Sequence, residues 1–95
     1  MFNKEERKIN VTADFASFRD SGHKRRITPL RFTLTSGESY HIADIRRSYS
    51  DTVGQSLQVH FVVETTDERF FDILFDSKKM MWFLILEIED KLLLR

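Results

Sequence analysis

Apolar and polar residues alternate along most of this chain, and a period of two is the pattern of half-buried β-strands. The alternation is clearest in KINVTADF at residues 8–15 and in SLQVHFVVET at residues 56–65. It recurs in TPLRFTL, SYHI and RFFDILF. The positions that it predicts to face the core are Ile9, Val11, Ala13, Phe15, Leu30, Phe32, Leu34, Tyr40, Ile42, Leu57, Val59, Phe61, Val63, Phe71, Ile73 and Phe75.

A sixth apolar segment, MMWFLILEI at residues 80–88, is apolar at both alternating sets of positions. We interpret it as a strand that ends near Ile88, because Trp, Phe and Ile pack well on a pleated surface. Apolar residues also recur in it at helical spacing, so the choice between strand and helix over residues 80–95 stays open. A short C-terminal helix is the alternative.

The connections between these segments predict an antiparallel meander. Residues 36–38, 66–68 and 76–79 are short enough for hairpins, and longer loops are expected at residues 16–26 and 46–54. No stretch is long and helical enough for a parallel crossover. We therefore predict one all-β domain over residues 1–95, with about six strands in up-and-down order. They would form a strongly bent sheet or a small, partly open barrel.

Composition indicates a folded protein of the cytoplasm. The formal net charge is 0 and hydrophobic residues make up 41% of the chain, whereas disordered chains are poor in apolar residues and strongly charged. There is no cysteine, and the N-terminal segment MFNKEERKIN lacks the apolar core of a secretory signal. The longest apolar run, residues 80–86, is too short to span a bilayer.

In an up-and-down sheet, alternate connections lie at the same end. The loops at residues 16–26, 46–54 and 76–79 should therefore form one predicted basic rim, with most of the acidic residues at the opposite end. Clustered cations with an aromatic residue among them are typical of polyanion binding. The alternative is a solvated loop surface, and the sequence pI of 6.8 is low for a dedicated nucleic-acid domain. The candidate anion-binding residues are Lys24, Arg25, Arg26, Arg46, Arg47 and Tyr49.

A second candidate surface is apolar and lies on the face opposite the core. Soluble monomers rarely expose large apolar patches. Either the C-terminal KLLLR segment or a long loop covers this face, or it is a subunit interface, most simply that of a symmetric homodimer. The candidate interface residues are Val62, Phe70, Leu74, Phe83 and Ile85.

Motifs that carry catalysis are missing from the sequence. It contains no P-loop, no dinucleotide-binding glycine pattern and no Gly-x-Ser-x-Gly turn. His41 and His60 would face each other if Ile42 opposes Val59, but two imidazoles are fewer than the three protein ligands of a catalytic zinc site. We therefore expect no enzyme activity, no cofactor and no metal.

The segment TPLRFTLTSGESYHIADIRRSYS resembles a group of small bacterial all-β proteins of uncharacterised function. Their shared pattern is a Thr-Pro-Leu strand, a Gly turn, a Tyr-x-Ile strand and a later Phe-rich strand, which would match most of residues 8–86. The resemblance implies a compact β fold. It brings no activity and no site residue.

Two function hypotheses follow from the two surfaces. The first is a non-catalytic module that self-associates or binds a protein partner through the apolar outer face. The second is a binder of nucleic acid or another polyanion through the predicted basic rim. Head-to-tail contact between the acidic and basic ends of two copies is a further form of self-association.

Overall fold

The computed structural model describes residues 7–22 and 24–89, and these form a small six-stranded antiparallel barrel. The strands are β1 (Lys8–Phe15), β2 (Ile27–Thr33), β3 (Ser39–Val53), β4 (Ser56–Thr65), β5 (Phe70–Asp76) and β6 (Met81–Ile88). Each strand pairs with its neighbour in the chain, in the order β1-β2-β3-β4-β5-β6. The predicted all-β meander is confirmed.

The barrel closes where β1 pairs with β6, through Lys8 opposite Phe83 and Ile9 opposite Trp82. The pairing between β2 and β3 is also short, since these strands are joined only over residues 31–33 and 39–41. By contrast, β3 and β4 pair along ten positions. The sheet therefore closes, but β2 and β3 separate beyond their three shared pairs.

The predicted loop at residues 46–54 is wrong, because β3 continues through residue 53. A two-residue turn, Gly54–Gln55, joins it to β4, and Gly54 adopts a positive φ of 62°. Two features explain why the alternation of apolar and polar residues did not predict this part of the strand. Its register shifts twice against β4, between Ile42 and Asp44 and between Ile45 and Arg47, which interrupts the period of two. The inward residues beyond the second bulge are small and polar: Ser48, Ser50 and Thr52 oppose the inward residues Phe61, Val59 and Leu57.

A bulge in β2 also changes the predicted facing of one residue. Thr12 pairs with Arg31 and Ala13 pairs with Pro29, so Leu30 is the extra residue. Leu30 was predicted to face the core, but its side chain is 43% exposed, whereas Pro29 is fully buried. Phe15 and Leu57, also predicted as inward, are about half exposed because they lie at strand ends.

The core consists of the inward faces of the strands, as the alternation predicts. Phe32 is fully buried at its centre, where its ring stacks on Tyr40 and meets the edge of Phe71, both at 5.2 Å between ring centroids. Phe75 packs on Trp82, with 5.0 Å between the ring centroids. Small barrels of this strand number have interiors filled by side chains.

β6 is a strand from Met81 to Ile88, so the interpretation of MMWFLILEI as a strand is confirmed. The undecided C-terminal residues 90–95, and with them the alternative of a short helix, lie outside the described residues.

The outer apolar face is largely buried. Val62, Phe70, Leu74 and Phe83 keep at most 9% of their surface accessible, and Ile85 is only partly buried. Two cations lie over the ends of this face: the Arg46 guanidinium is 5.9 Å from the Phe70 ring centroid, and the Lys79 ammonium is 5.8 Å from that of Phe83. The burial favours a second small core over a free interface.

Candidate interaction site at the basic end of the barrel

Up-and-down order places the connections after β1, β3 and β5 at one end of the barrel. We call this the basic end and define it as residues 16–26, 54–55 and 77–80. Its cations are Arg19, Lys24, Arg25, Arg26, Lys78 and Lys79. Of the candidate anion-binding residues, Lys24, Arg25 and Arg26 lie at this end.

Arg46 does not belong to the basic end. It lies in the bulged part of β3, where its Nη1 atom is 3.0 Å from Oε1 of Glu64 and its Nε atom is 4.0 Å from Oδ2 of Asp44. Its charge is thus balanced by two acids on the barrel wall. Its prediction as a member of an anion-binding cluster is wrong, because the loop that was to carry it is a strand.

Arg47 and Tyr49 point to the outer wall, on the same face as His60. The Arg47 guanidinium is 5.7 Å from the Tyr49 ring centroid, and that ring stacks on His60 at 4.5 Å with 3° between the planes. The proposed opposition of His41 and His60 is wrong, since His41 pairs with Arg31 and His60 with Tyr49. Nδ1 of His60 is 3.7 Å from Oδ1 of Asp72, and burial raises the pKa of this carboxyl.

A buried carboxylate, Asp76, orders the β5–β6 turn of the basic end. Its Oδ1 atom accepts hydrogen bonds from Oγ of Ser56 at 2.7 Å and from the backbone N–H groups of Lys78 and Lys79 at 3.0 and 3.1 Å. Nε2 of Gln58 donates more weakly to Oδ2, at 3.4 Å. The hydroxyl of Ser56 is the main reason that the pKa of Asp76 lies below its ordinary value. Both carboxylate oxygens of Asp76 therefore accept hydrogen bonds within the barrel, and Asp76 does not offset the charge of the exposed cations at this end.

A cleft of about 320 Å³ opens at the basic end where β2 and β3 separate. Its base is apolar, formed by Ile27, Val59 and the buried ring of Phe61, with Leu57 at the outer margin. The hydroxyl-bearing residues Ser48 and Ser50 form the β3 wall. The cations Arg19, Lys24, Arg25 and Arg26 surround the opening. Apolar clefts with a few convergent polar groups are typical binding sites.

Large exposed hydrophobic residues are concentrated at the same end. Phe18 in the β1–β2 connection is 68% exposed and Met80 in the β5–β6 turn is 69% exposed. Phe15, Val53 and Leu57, which end or begin strands there, are each between 46% and 58% exposed. Leu30, Tyr49 and Leu86 are the exceptions elsewhere on the barrel. Exposed apolar groups bordered by charges mark interaction sites.

At the opposite, acidic end, the carboxylate of Glu87 is paired with Arg69. Arg69 forms a two-point ion pair with Glu87, in which Nε and Nη2 each donate at 2.8 Å, and its Nη1 donates to the Tyr40 hydroxyl at 2.9 Å. The hydrogen bonds from Arg69 lower the pKa of Glu87. The guanidinium also lies 5.0 Å from the Tyr40 ring centroid. This ion pair covers the Tyr40 side of the core, whereas the basic end carries six cations and one acid, Asp20.

Sequence reasoning missed the cleft itself, including Ile27, Ser48, Ser50, Val59 and Phe61 as site residues. The alternation of Ser48, Ser50 and Thr52 was the available signal, since it indicates a strand whose inward face is polar.

No helix within residues 7–22 and 24–89 is long and apolar enough to cross a membrane. In the same residues, no three or more His, Asp or Glu side chains are grouped so that they could hold a metal ion. No protein-family model, curated protein or solved structure matches the chain. The resemblance to small bacterial all-β proteins therefore stays a prediction.

Proposed function

We propose that the protein is a non-catalytic interaction module that binds an acidic protein partner through the basic end of its barrel. The observation that carries the proposal is the coincidence of exposed apolar side chains with cations at one end. Phe18 and Met80 stand in the same connections as Arg19 and Lys79. Apolar groups supply the affinity of protein interfaces, and charge complementarity supplies specificity and association rate.

The binding surface that we propose differs from the outer apolar face of β4, β5 and β6. Leu74 and Phe83 keep about 1% of their surface accessible, so a partner would gain almost no further apolar burial there. Phe18 and Met80, by contrast, can each lose more than half of their full surface to a partner. The same comparison argues against a homodimer built on the outer face.

Binding of single-stranded nucleic acid is the second candidate. The exposed ring of Phe18 lies beside Arg19, Lys24 and Arg26. Proteins bind single strands by combining base stacking on aromatic side chains with a positive surface. Tyr49 is less suited to this role, because one face of its ring is covered by His60.

The test measures binding of a fluorescent random copolymer of glutamate and tyrosine, and of a 20-nucleotide oligothymidylate, by anisotropy at low and moderate salt. We expect the copolymer to bind more tightly, and Arg25→Glu to weaken its binding at least tenfold at low salt. Arg31→Glu is the matched control, because Arg31 carries the same charge on the exposed wall of β2. It should change binding less than threefold.

Equal losses in Arg25→Glu and Arg31→Glu would show that only net charge matters, and would contradict the proposed site. Tighter binding of oligothymidylate, lost in Phe18→Ala, would assign the surface to nucleic acid instead.

A further inference from the structure

We propose that β3 binds an extended acidic peptide segment by strand addition along its open edge. The open edge is the side of residues 48–52 that faces β2. The proposal rests on the proposed function and specifies how the partner is held: by backbone hydrogen bonds to β3, with one apolar side chain in the cleft and acidic side chains at the cations around it.

The pairing of β3 leaves one of its edges without a neighbour. β3 has 15 residues, but β2 pairs only with Ser39, Tyr40 and His41. From residue 44 to residue 53 it pairs with β4 alone among the described residues. An edge of this kind presents a row of backbone donors and acceptors to another strand.

The regular part of this edge is the part nearest the basic end. Both register shifts of β3 lie before Arg47, and from Arg47 to Val53 each residue pairs in sequence with one residue of β4. This stretch contains no proline and no lysine, which are two common means of blocking an edge. The stretch is therefore regularly paired along β4 and lacks these two blocking residues at the open edge.

The hydrogen-bonding groups that are available can be identified from the hairpin. With a two-residue turn, Val53 and Ser56 form a hydrogen-bonded pair, so Arg47, Tyr49 and Asp51 also bond towards β4. Ser48, Ser50 and Thr52 must then direct their N–H and C=O groups to the open edge. The N–H of Thr52 is donated to the Asp51 carboxylate at 3.1 Å, which agrees with this direction and leaves the N–H groups of Ser48 and Ser50 as the donors of the open edge. The donation from Ser77 N–H to the Leu57 carbonyl, at 2.9 Å, on the far side of β4, also agrees with this direction.

The cleft adjoins this edge, which determines the side chains that a partner strand would bring. Successive side chains of a strand point to opposite faces. On one face they would meet Ile27, Val59 and Phe61, which favour an apolar residue. Arg25 reaches across the cleft to Oγ of Ser48 at 3.5 Å, a weak contact that a carboxylate can replace with a stronger, charge-assisted bond.

Charge complementarity distinguishes an acidic segment from a second copy of the chain. Symmetric pairing of two open edges would bring two sets of Arg19, Lys24, Arg25 and Arg26 together, and like charges oppose association. An extended segment that alternates acidic and aliphatic residues relieves the same repulsion. Strand addition with side-chain pockets is an established mode of peptide recognition.

The test uses four synthetic probes of equal length. They are an eight-residue peptide alternating Asp and Val, two N-methylated forms of it that carry the methyl groups on one or the other alternate set of backbone nitrogens, and an eight-residue peptide alternating Lys and Val. Binding is measured by anisotropy, and by amide chemical shifts of Ser48 and Ser50. We expect the Asp-Val peptide to bind and to shift both amides. Methylation of the alternate nitrogens that face β3 should weaken binding at least tenfold. Methylation of the other alternate set, which faces away from β3, should weaken it much less. The Lys-Val peptide should not bind.

Ser50→Pro removes one open-edge donor without removing a bond to β4, and proline is tolerated at such positions. We expect this variant to bind the Asp-Val peptide at least tenfold more weakly. Thr35→Pro places a proline at the first central position of the β2–β3 turn, at the opposite end of the barrel, and should stay within threefold of the original chain. Circular dichroism and the melting temperature check that each variant is folded. If Ser50→Pro does not fold, the N-methylated peptides still test the proposal on the original chain.

The possible results separate the edge from the proposed function. Binding that depends on Arg25 but is unchanged by either methylation register would overturn strand addition and leave the basic end as the site. Absence of binding by the Asp-Val peptide, while the glutamate and tyrosine copolymer still binds, would have the same meaning. A dimer that Ser50→Pro disrupts would assign the edge to a second copy and would also overturn the proposal.

Discussion

Phe32→Ala is expected to lower the free energy of unfolding by about 4 kcal/mol, the usual cost of deleting a buried phenylalanine ring. The ring is fully buried and contacts two other aromatic rings, so its removal leaves a cavity and two unpartnered ring faces. A domain of this size has a total stability of about 5–14 kcal/mol. Equilibrium unfolding in urea measures the change.

The matched control is Phe18→Ala, which deletes the same ring from a side chain that is 68% exposed. We expect less than about 0.5 kcal/mol for this variant. Phe32→Leu keeps most of the volume and should cost about 1–2 kcal/mol. Similar losses in Phe32→Ala and Phe18→Ala would mean that the core does not lie where the strand registers place it.

The contrast between these two phenylalanines shows how much the sequence could predict. Alternation identified Phe32, Phe61 and Ile73 as core residues, because hydrophobic burial on one face of a strand leaves a local pattern. Strand order followed from short connections. Both depend on neighbouring residues only, and the structure confirms them.

Features that depend on pairing between distant strands were not predictable in this way. Bulges in β2 and β3 shift the alternation by one residue, and this is why Leu30 is exposed and Arg46 sits on the barrel wall. Whether a strand ladder is complete also depends on the partner strand. The early separation of β2 from β3, which produces the cleft, leaves no sign in either strand alone.

The candidate site therefore depends both on residues that are adjacent in the sequence and on the pairing of distant strands. The grouping of Lys24 with Arg25 and Arg26 was visible in the sequence, whereas the apolar base beneath them is visible only in the fold. The residues that the outer-face hypothesis selected, such as Leu74 and Phe83, are apolar for the same reason as core residues. Sequence alone cannot distinguish an interface from a second buried layer.

Asp76→Ala is expected to lower the free energy of unfolding by about 3 kcal/mol, because it removes the shared acceptor of a buried hydrogen-bond cluster. Ser56 and Gln58 are both at least 91% buried, and each would lose a charge-assisted partner. The N–H groups of Lys78 and Lys79 would lose theirs as well. Urea unfolding measures the loss, and Asp14→Ala, which removes an exposed carboxylate from β1, should cost less than about 0.5 kcal/mol.

Asp76→Asn separates the charge of this group from its shape. An amide oxygen can accept the bonds from Ser56 and the turn, so we expect a loss of about 1 kcal/mol near pH 7. The folded pKa of Asp76 lies below the unfolded value, so its charge stabilises the protein above about pH 4 and that contribution disappears as the pH falls through the folded pKa. The difference in stability between the original chain and Asp76→Asn should therefore shrink between pH 5 and pH 2. A difference that stays constant over this range would contradict an ionised Asp76 at the base of the β5–β6 turn, which holds Lys78 and Lys79 at the basic end.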